Sequence, residues 1–159
     1  MENIFNDLSE KLFSHLKKDE NLIISFDGEN SQFIRFNNAS IRQTGLVDDA
    51  TMGLKYIANG RTCHGAFTVS GNQDIDIQRA ECEIDRMRIE SKEIPADPFL
   101  VMPKNSGSSN KIQKVNGLPF ENAVNALTPV MEGIDFVGIW VNGKMYRGNA
   151  NNLGQRHWF

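Results

Sequence analysis

The chain has 159 residues, of which 40% are hydrophobic and 23% are charged, as is typical of a single globular domain, here residues 1–159. A net charge of −3 without a long basic stretch argues against nucleic acid as a partner, because phosphate neutralisation supplies most of that affinity. Neither a signal peptide nor an apolar run of ~20 residues is present, so we expect a cytoplasmic protein that uses no membrane.

The first predicted element is an amphipathic helix over residues 3–18. Its apolar positions recur every four residues, at Ile4, Leu8, Leu12 and Leu16. Asn3 is the expected N-cap, because a side-chain oxygen there can accept a free backbone N–H of the first turn. We expect the apolar stripe to face the core.

Residues 21–69 carry the signals of successive strands. The predicted strands are 22–26, 32–36, 39–43, 51–58 and 61–69. Asp27-Gly28 is expected to end the first of them. Asn59-Gly60 is expected to join the last two, since this dipeptide tolerates the positive φ angles of a type I′ turn.

Helical spacing returns over residues 73–92. Its predicted buried face consists of Ile77, Ala80, Ile84 and Met87. Asp74 is the expected N-cap, and Pro95 with Pro98 stops the element.

An irregular stretch is predicted over residues 95–118, because it contains several prolines and a run of small polar residues. A structureless loop of this length is uncommon inside a compact domain. It is either a mobile connection, which we favour, or a functional flap. A helix over residues 119–131 is expected next, with Pro119 at its first position and Pro129 ending or kinking it.

A second hairpin is predicted from residues 136–141 and 144–149, joined by Asn142-Gly143. The sequence then ends on Trp158 and Phe159, whose rings would bury a large area if packed. We expect further chain to cover them. The alternative is a terminal strand that docks on its own domain.

The residues that could carry chemistry form no recognisable site. A helical zinc peptidase site needs two His one turn apart with a Glu between them, and His15, His64 and His157 stand alone. Cys63 and Cys82 lack metal-site spacing and are expected to be small buried side chains with reduced thiols. No nucleophile elbow and no phosphate loop occur, so we expect neither catalytic nor metal-binding residues.

Three stretches in order resemble the TldD/PmbA family. Phe-Ile-Arg-Phe-Asn-Asn-Ala-Ser-Ile-Arg-Gln at 33–43 is similar to the strand-turn-strand near the start of those proteins. Residues 52–57 with Asn59-Gly60-Arg61-Thr62 resemble a hairpin in which they carry G-L-R-x-I and then G-R-T. Residues 146–159 look like the segment that ends the family's N-terminal domain.

The resemblance implies an α+β fold in which a curved, mainly antiparallel sheet with hairpins packs against about three helices. It also implies the N-terminal domain of a longer protein whose C-terminal, metallopeptidase-like domain is absent here. The family's zinc motif, His-Glu-x-x-x-His, belongs to that second domain, so zinc is implied there and no cofactor is implied in this chain. The family's older label, modulator of DNA gyrase, does not imply DNA binding.

The function expected from the resemblance is a non-catalytic domain of a candidate metallopeptidase that contributes to a peptide cleft and a subunit interface. The implied partners are an unfolded peptide or protein and a second subunit in a homo- or heterodimer. An exposed strand edge of either hairpin could bind an extended peptide through its main chain. The candidate peptide-binding residues are Arg35, Arg42, Arg61, Tyr146 and Arg147.

Two other classes of function stay open. The first is a domain of an inactive partner or scaffolding homologue, which would bind peptide or protein without hydrolysis. The second is a small stand-alone enzyme that uses residues 95–118 as a lid, which would need an acid or base of shifted pKa in a cleft.

Overall fold

The structure is a computed structural model that describes residues 1–103, 107–128 and 133–159. Three helices and six strands lie within these ranges. In chain order they are α1 (Glu2–His15), β1 (Glu20–Asn37), β2 (Ser40–Ala58), β3 (Arg61–Thr68), α2 (Gln73–Glu90), β4 (Ser108–Asn110), α3 (Phe120–Leu127), β5 (Gly138–Asn151) and β6 (Arg156–Trp158). None of the helices described is both long and apolar enough to cross a bilayer.

The strands form one sheet in the order β3-β2-β1-β5-β6-β4. The β2–β3 and β5–β6 pairs are antiparallel, and the short β4–β6 pair is parallel. The α+β class predicted from the sequence is therefore confirmed.

The chain divides into two compact units. Unit 1 consists of Met1–Gly28, Asp49–Ile112 and Tyr146–Phe159, and unit 2 consists of Glu29–Asp48 and Gln113–Met145. Strands β1, β2 and β5 contribute residues to both units.

Helix α1 supplies part of the unit 1 core through the predicted stripe, since Leu8 and Leu12 are buried together with Phe5. The prediction of Asn3 as N-cap is wrong. The helix begins at Glu2, and the N–H of Phe5 donates to the carbonyl of Met1, so Asn3 lies inside the first turn. The helix ends at His15 rather than at residue 18 because Leu16 is extended.

Helix α2 packs the predicted face inward, with Ala80, Ile84 and Met87 fully buried and Ile77 partly buried. Its N-cap is Asn72, whose side-chain oxygen accepts the N–H of Ile75, so the prediction of Asp74 is wrong. Fully buried Asp76 accepts the backbone N–H groups of Ser70 and Gly71. Asn72 thus satisfies one of the donors that a helix start leaves free, and Asp76 satisfies two donors of the segment that leads into the helix.

Two predicted boundaries inside the sheet are wrong. Asp27-Gly28 does not end a strand: β1 continues through it, and a Cβ on Gly28 would lie 3.0 Å from the Phe26 ring. Asn142-Gly143 is no turn, because β5 runs through it. A Cβ on Gly143 would lie 2.3 Å from the Cα of Ser31, so this glycine permits a close backbone approach.

Two further departures concern the stretch predicted to be irregular and one cysteine. Residues 95–118 contain the short strand β4, which pairs with β6. The expectation that both cysteines are buried holds for Cys63 and is wrong for Cys82, which is exposed on α2. The polar run at residues 104–106 lies outside the described residues.

The unit 2 core is built from Ile34, Phe36 and Ala123, against which Trp140 and Phe136 pack. Pro119 is the N-cap of α3 rather than its first residue. The predicted end of that helix at Pro129 lies outside the described residues.

Trp158 is buried in unit 1 instead of lying in water. Its ring centroid lies 5.4 Å from that of Phe5 and 5.6 Å from that of Phe26. For Trp158, the structure agrees with the alternative stated in the sequence analysis, a terminal strand that docks on its own domain. The side chain of Phe159 is 56% exposed.

Candidate functional site

Arg35 and Arg42, two of the sequence-predicted residues, come together in unit 2. Both line a half-open depression of about 350 Å³, which we call the arginine depression. Its other lining residues are Phe36, Asn37, Gln43 and Val137. The depression therefore combines two cationic side chains, two amide side chains and the exposed apolar side chain of Val137, while the Phe36 ring is buried in the core beneath.

The hairpin between β1 and β2 positions these arginines. Its turn consists of Asn38 and Ala39, whose φ angles of 49° and 52° are those of a two-residue type I′ turn. In such a hairpin, residues that are equally far in sequence from the turn lie opposite each other on the two strands. Arg35 and Arg42 form such a cross-strand pair. The N–H of Ala39 donates to the carbonyl of Phe136, which holds the segment leading to Val137 beside the turn.

The two guanidinium groups have no counter-ion within the described part of the chain. Neither takes part in the ion pairs or side-chain hydrogen bonds found there, and both side chains are exposed. Every other arginine of those residues has a hydrogen-bond or ion-pair partner. The arginine depression is thus the place where two cations meet without an anion.

The other three candidates lie in unit 1 and have structural partners. Arg61 donates through Nε to the carbonyl of Ile94, over 2.6 Å, and so ties the β2–β3 turn to the segment after α2. Tyr146 stacks on Trp158, with centroids 6.1 Å apart. Arg147 forms an ion pair with Asp27, with 3.0 Å between nitrogen and oxygen.

Two arginines of α2 that the sequence analysis missed contact the outer edge of β3. The N–H of Val69 donates to the carbonyl of Ala50 in β2. Because the backbone polar groups of successive strand residues point to opposite sides, the carbonyls of His64 and Thr68 point away from β2, to the free edge. Arg86 donates to the first of these carbonyls and Arg79 to the second. Their spacing of seven residues, two helical turns on α2, is the sequence signal that could have identified them.

These contacts change the two candidate edges for peptide binding. The β3 edge already has guanidinium groups on two carbonyls. The second predicted hairpin does not exist. In β5, Gly148, Asn149 and Ala150 pair with β6. Residues 138–145 of β5 therefore have β1 on one side and no strand on the other among the described strands. This part of β5, which we call the β5 edge, begins next to Val137 of the arginine depression.

A nearly buried electrostatic network of unit 1 joins Glu20, Arg88 and Tyr56. The guanidinium of Arg88 donates to both carboxylate oxygens of Glu20 over 2.8 Å, and the Tyr56 hydroxyl donates over the same distance. Burial raises the pKa of the Glu20 carboxyl, but the hydrogen bonds from Arg88, Lys17 N–H and Tyr56 outweigh it and lower the pKa to about 2. Burial and the neighbouring carboxylate raise the pKa of Tyr56.

That network stabilises the fold rather than forming a catalytic pair. Its polar groups are already bonded to each other, and none of them lines the arginine depression. The histidines are not gathered either. His15 contacts Asp85 and Arg88, His157 lies 2.9 Å from the hydroxyl of Ser109, and no cluster of metal-ligand side chains occurs among the described residues. These donors do not fit a zinc site.

Comparisons with known proteins show the fold. No protein-family model and no curated protein matches the chain. Solved structures do match it, and three of them, each at low sequence identity, illustrate the likeness. They are TldE from Thermococcus kodakarensis (TM-score 0.65, 11% identity) and candidate modulators of DNA gyrase from Thermotoga maritima (0.58, 14%) and Bacteroides thetaiotaomicron (0.54, 12%).

The chain has the fold of these proteins. The matches cover 98%, 98% and 99% of the chain and 37%, 37% and 38% of the three solved chains, in the same order. The chain therefore spans little more than a third of their length. The resemblance inferred from three short stretches of sequence is confirmed at the level of fold.

Proposed function

We propose that the chain is the non-catalytic N-terminal domain of a TldD/PmbA-like protein of the cytoplasm and that it binds extended, unfolded peptide. The observation that carries the proposal is the fold match over 98% of the chain with TldE, of which it spans 37%. Catalysis, and the zinc it uses, would then belong to a part of the protein that this chain does not contain.

The β5 edge and the arginine depression support peptide binding in unit 2. An extended peptide can add to an open strand edge through main-chain hydrogen bonds, while its side chains contact alternate side chains of the sheet. Ile139 and Val141 are 65% and 53% exposed and would provide apolar contacts. Trp140 lies between them and packs against the unit 2 core, which fixes the strand.

The proposal extends to a subunit interface in the full-length protein. Monomeric proteins expose few large contiguous apolar patches, and interaction surfaces are a common reason for them. Val137 and Met145 add to the exposed apolar side chains of this region, at 68% and 54% exposure. The second candidate function, a domain of an inactive partner or scaffolding homologue, uses the same surfaces without hydrolysis anywhere in the assembly.

Amide chemical shifts of the isotope-labelled chain test peptide binding. The probe is an unstructured ten-residue peptide titrated to millimolar concentration. We expect shifts concentrated in residues 138–145 and in the β1–β2 hairpin of unit 2. The absence of shifts at both places would sink the proposal.

A substitution in the strand provides the matched control. Val141→Pro would remove a main-chain donor and block strand addition. Val141→Thr keeps the backbone and the branched shape, so it should keep binding. Hydrolysis of the same peptides by the purified chain, together with stoichiometric zinc, would contradict the non-catalytic assignment.

A further inference from the structure

We infer that the arginine depression binds a carboxylate group of the peptide. The carboxylate comes either from an acidic side chain or from the free C-terminus. This inference rests on the proposed function and names the chemistry that selects the peptide.

The charge of the depression supports an anionic ligand. Arg35 and Arg42 line one small space and have no acidic partner among the described residues, although the protein carries a net charge of −3. Two like charges held together are unfavourable, and an anion between them relieves the repulsion. The other arginines described are already engaged, so among the described arginines this pair is the one that an incoming anion reaches without displacing an existing partner.

Arginine geometry favours a carboxylate. Each guanidinium is a planar group with five N–H donors, and two of them can bond both oxygens of a carboxylate in parallel. Arginine is also less strongly hydrated than lysine, so its desolvation on binding costs less. Both features fit the recognition of a flat anion better than a general attraction by surface charge.

The remaining lining fits a peptide rather than a free inorganic anion. Asn37 and Gln43 supply amides that can both donate to and accept from a peptide backbone. Val137, which is 68% exposed, supplies apolar surface for the aliphatic part of an acidic residue. The volume of about 350 Å³ lies in the range of small ligand sites, roughly 300–1,000 Å³, and suits one residue.

The test uses the full chain and four versions of one ten-residue peptide. The reference peptide has blocked termini and a central Gln. The second has Glu in place of that Gln, the third keeps Gln but has a free C-terminal carboxylate, and the fourth carries a phosphoserine. We expect the second or third peptide to bind about tenfold more tightly than the reference, which corresponds to the gain from a charged hydrogen bond.

Variants assign the gain to the two arginines. Arg35→Gln and Arg42→Gln should each abolish the preference for the carboxylate, so that each variant binds the carboxylate peptides no more tightly than it binds the reference peptide. Arg35→Lys should keep part of it, because charge remains but the planar fork is lost. Lys114→Gln, which removes one exposed positive charge of unit 2 outside the depression and the β5 edge, is the matched control and should keep the preference.

The outcomes separate this inference from the proposed function. If the reference peptide binds but the carboxylate peptides gain nothing, the inference fails and peptide binding stands. If the preference survives both glutamine variants, or the phosphopeptide binds more tightly than either carboxylate peptide at the same residues, the carboxylate assignment fails. If none of the peptides binds, both proposals fail.

Discussion

The two units of the chain differ in how much of their apolar surface they bury. Among the described residues, the unit 1 core contains eighteen buried side chains, whereas the unit 2 core contains three. Unit 1 also holds the Glu20–Arg88–Tyr56 network, with both ends of the ion pair nearly buried. Unit 2 instead exposes apolar strand residues and two unpaired arginines.

The difference indicates a division of tasks within one small chain. Burial of apolar area supplies most of folding free energy, so unit 1 should hold most of the stability. Elements that bind partners are often drawn from the less stable parts of a protein, because unburied surface is what a partner can cover. Four changes, taken from the largest expected effect to the smallest, test this comparison.

Trp158→Ala should cause the largest loss of stability. The ring is buried against Phe5, Phe26 and Tyr146, and removing a buried aromatic side chain costs about 3–5 kcal/mol. Urea denaturation followed by far-ultraviolet circular dichroism, which reports backbone structure and does not require the Trp158 signal, measures the free energy of unfolding. Phe99→Ala, at a side chain that is 86% exposed, is the control and should change it by less than about 0.5 kcal/mol. Equal effects would contradict the assignment of the core.

Glu20→Gln should cost about 3 kcal/mol at neutral pH, because the nearly buried Arg88 loses its nearly buried charge partner and keeps only the exposed carboxylate of Asp85. The pH dependence should change as well. The pKa of Glu20 is about 2 in the folded state and 4.5 otherwise, so its ionised form adds stability above pH 4.5 that is lost as the pH falls toward 2.

Acid titration of the unfolding free energy checks this sign. The native chain should lose about 3 kcal/mol more than Glu20→Gln between pH 5 and pH 2. Parallel curves for the two proteins would show that the carboxylate contributes nothing to acid stability. Glu93→Gln, an exposed carboxylate without a side-chain partner in the described contacts, serves as the matched control.

Gly143→Ala should destabilise unit 2 by about 2 kcal/mol and leave the unit 1 core intact. A methyl group there would approach the backbone of Asn30 and Ser31 to within 2.4 Å, so the strands must shift. Amide hydrogen exchange, which resolves the two units, is the measurement. Lys144→Ala, at the next and exposed position, should leave protection unchanged. Equal loss of protection in both units would break the comparison.

Removing Arg79 and Arg86 together should have the smallest effect, under about 1 kcal/mol, because their contacts lie at an exposed edge. The double change to Gln frees the carbonyls of Thr68 and His64. We expect the peptide titration to show new amide shifts along β3 in this variant. A large loss of stability would mean that these contacts hold unit 1 together.

Local patterns predicted the elements whose signals are local. The α2 face and the Asn59-Gly60 turn were predicted, since helical spacing and a positive-φ dipeptide act within a few residues. The same dipeptide signal failed at Asn142-Gly143, where the glycine serves a contact with residue 31. A glycine required by a distant backbone looks the same in sequence as one required by a turn.

The candidate site was predicted in part for the same reason. Arg35 and Arg42 are close in sequence across a two-residue turn, so a hairpin prediction brings them together. Arg61, Tyr146 and Arg147 were chosen by the same family resemblance, but their partners, Ile94, Trp158 and Asp27, are set by tertiary structure. Which arginines stay free is decided by those partners.

The two cysteines, one buried and one exposed, can report the local opening of unit 1 through their reactivity. Cys82 is exposed, whereas Cys63 is buried in unit 1, where burial and the charge of Glu90 raise the pKa of its thiol. A thiol reagent should therefore modify the first at once and the second at the rate at which β3 is uncovered. Unit 2 contains no cysteine, so mass spectrometry of the unsubstituted protein can measure the rate of local opening in unit 1 alone.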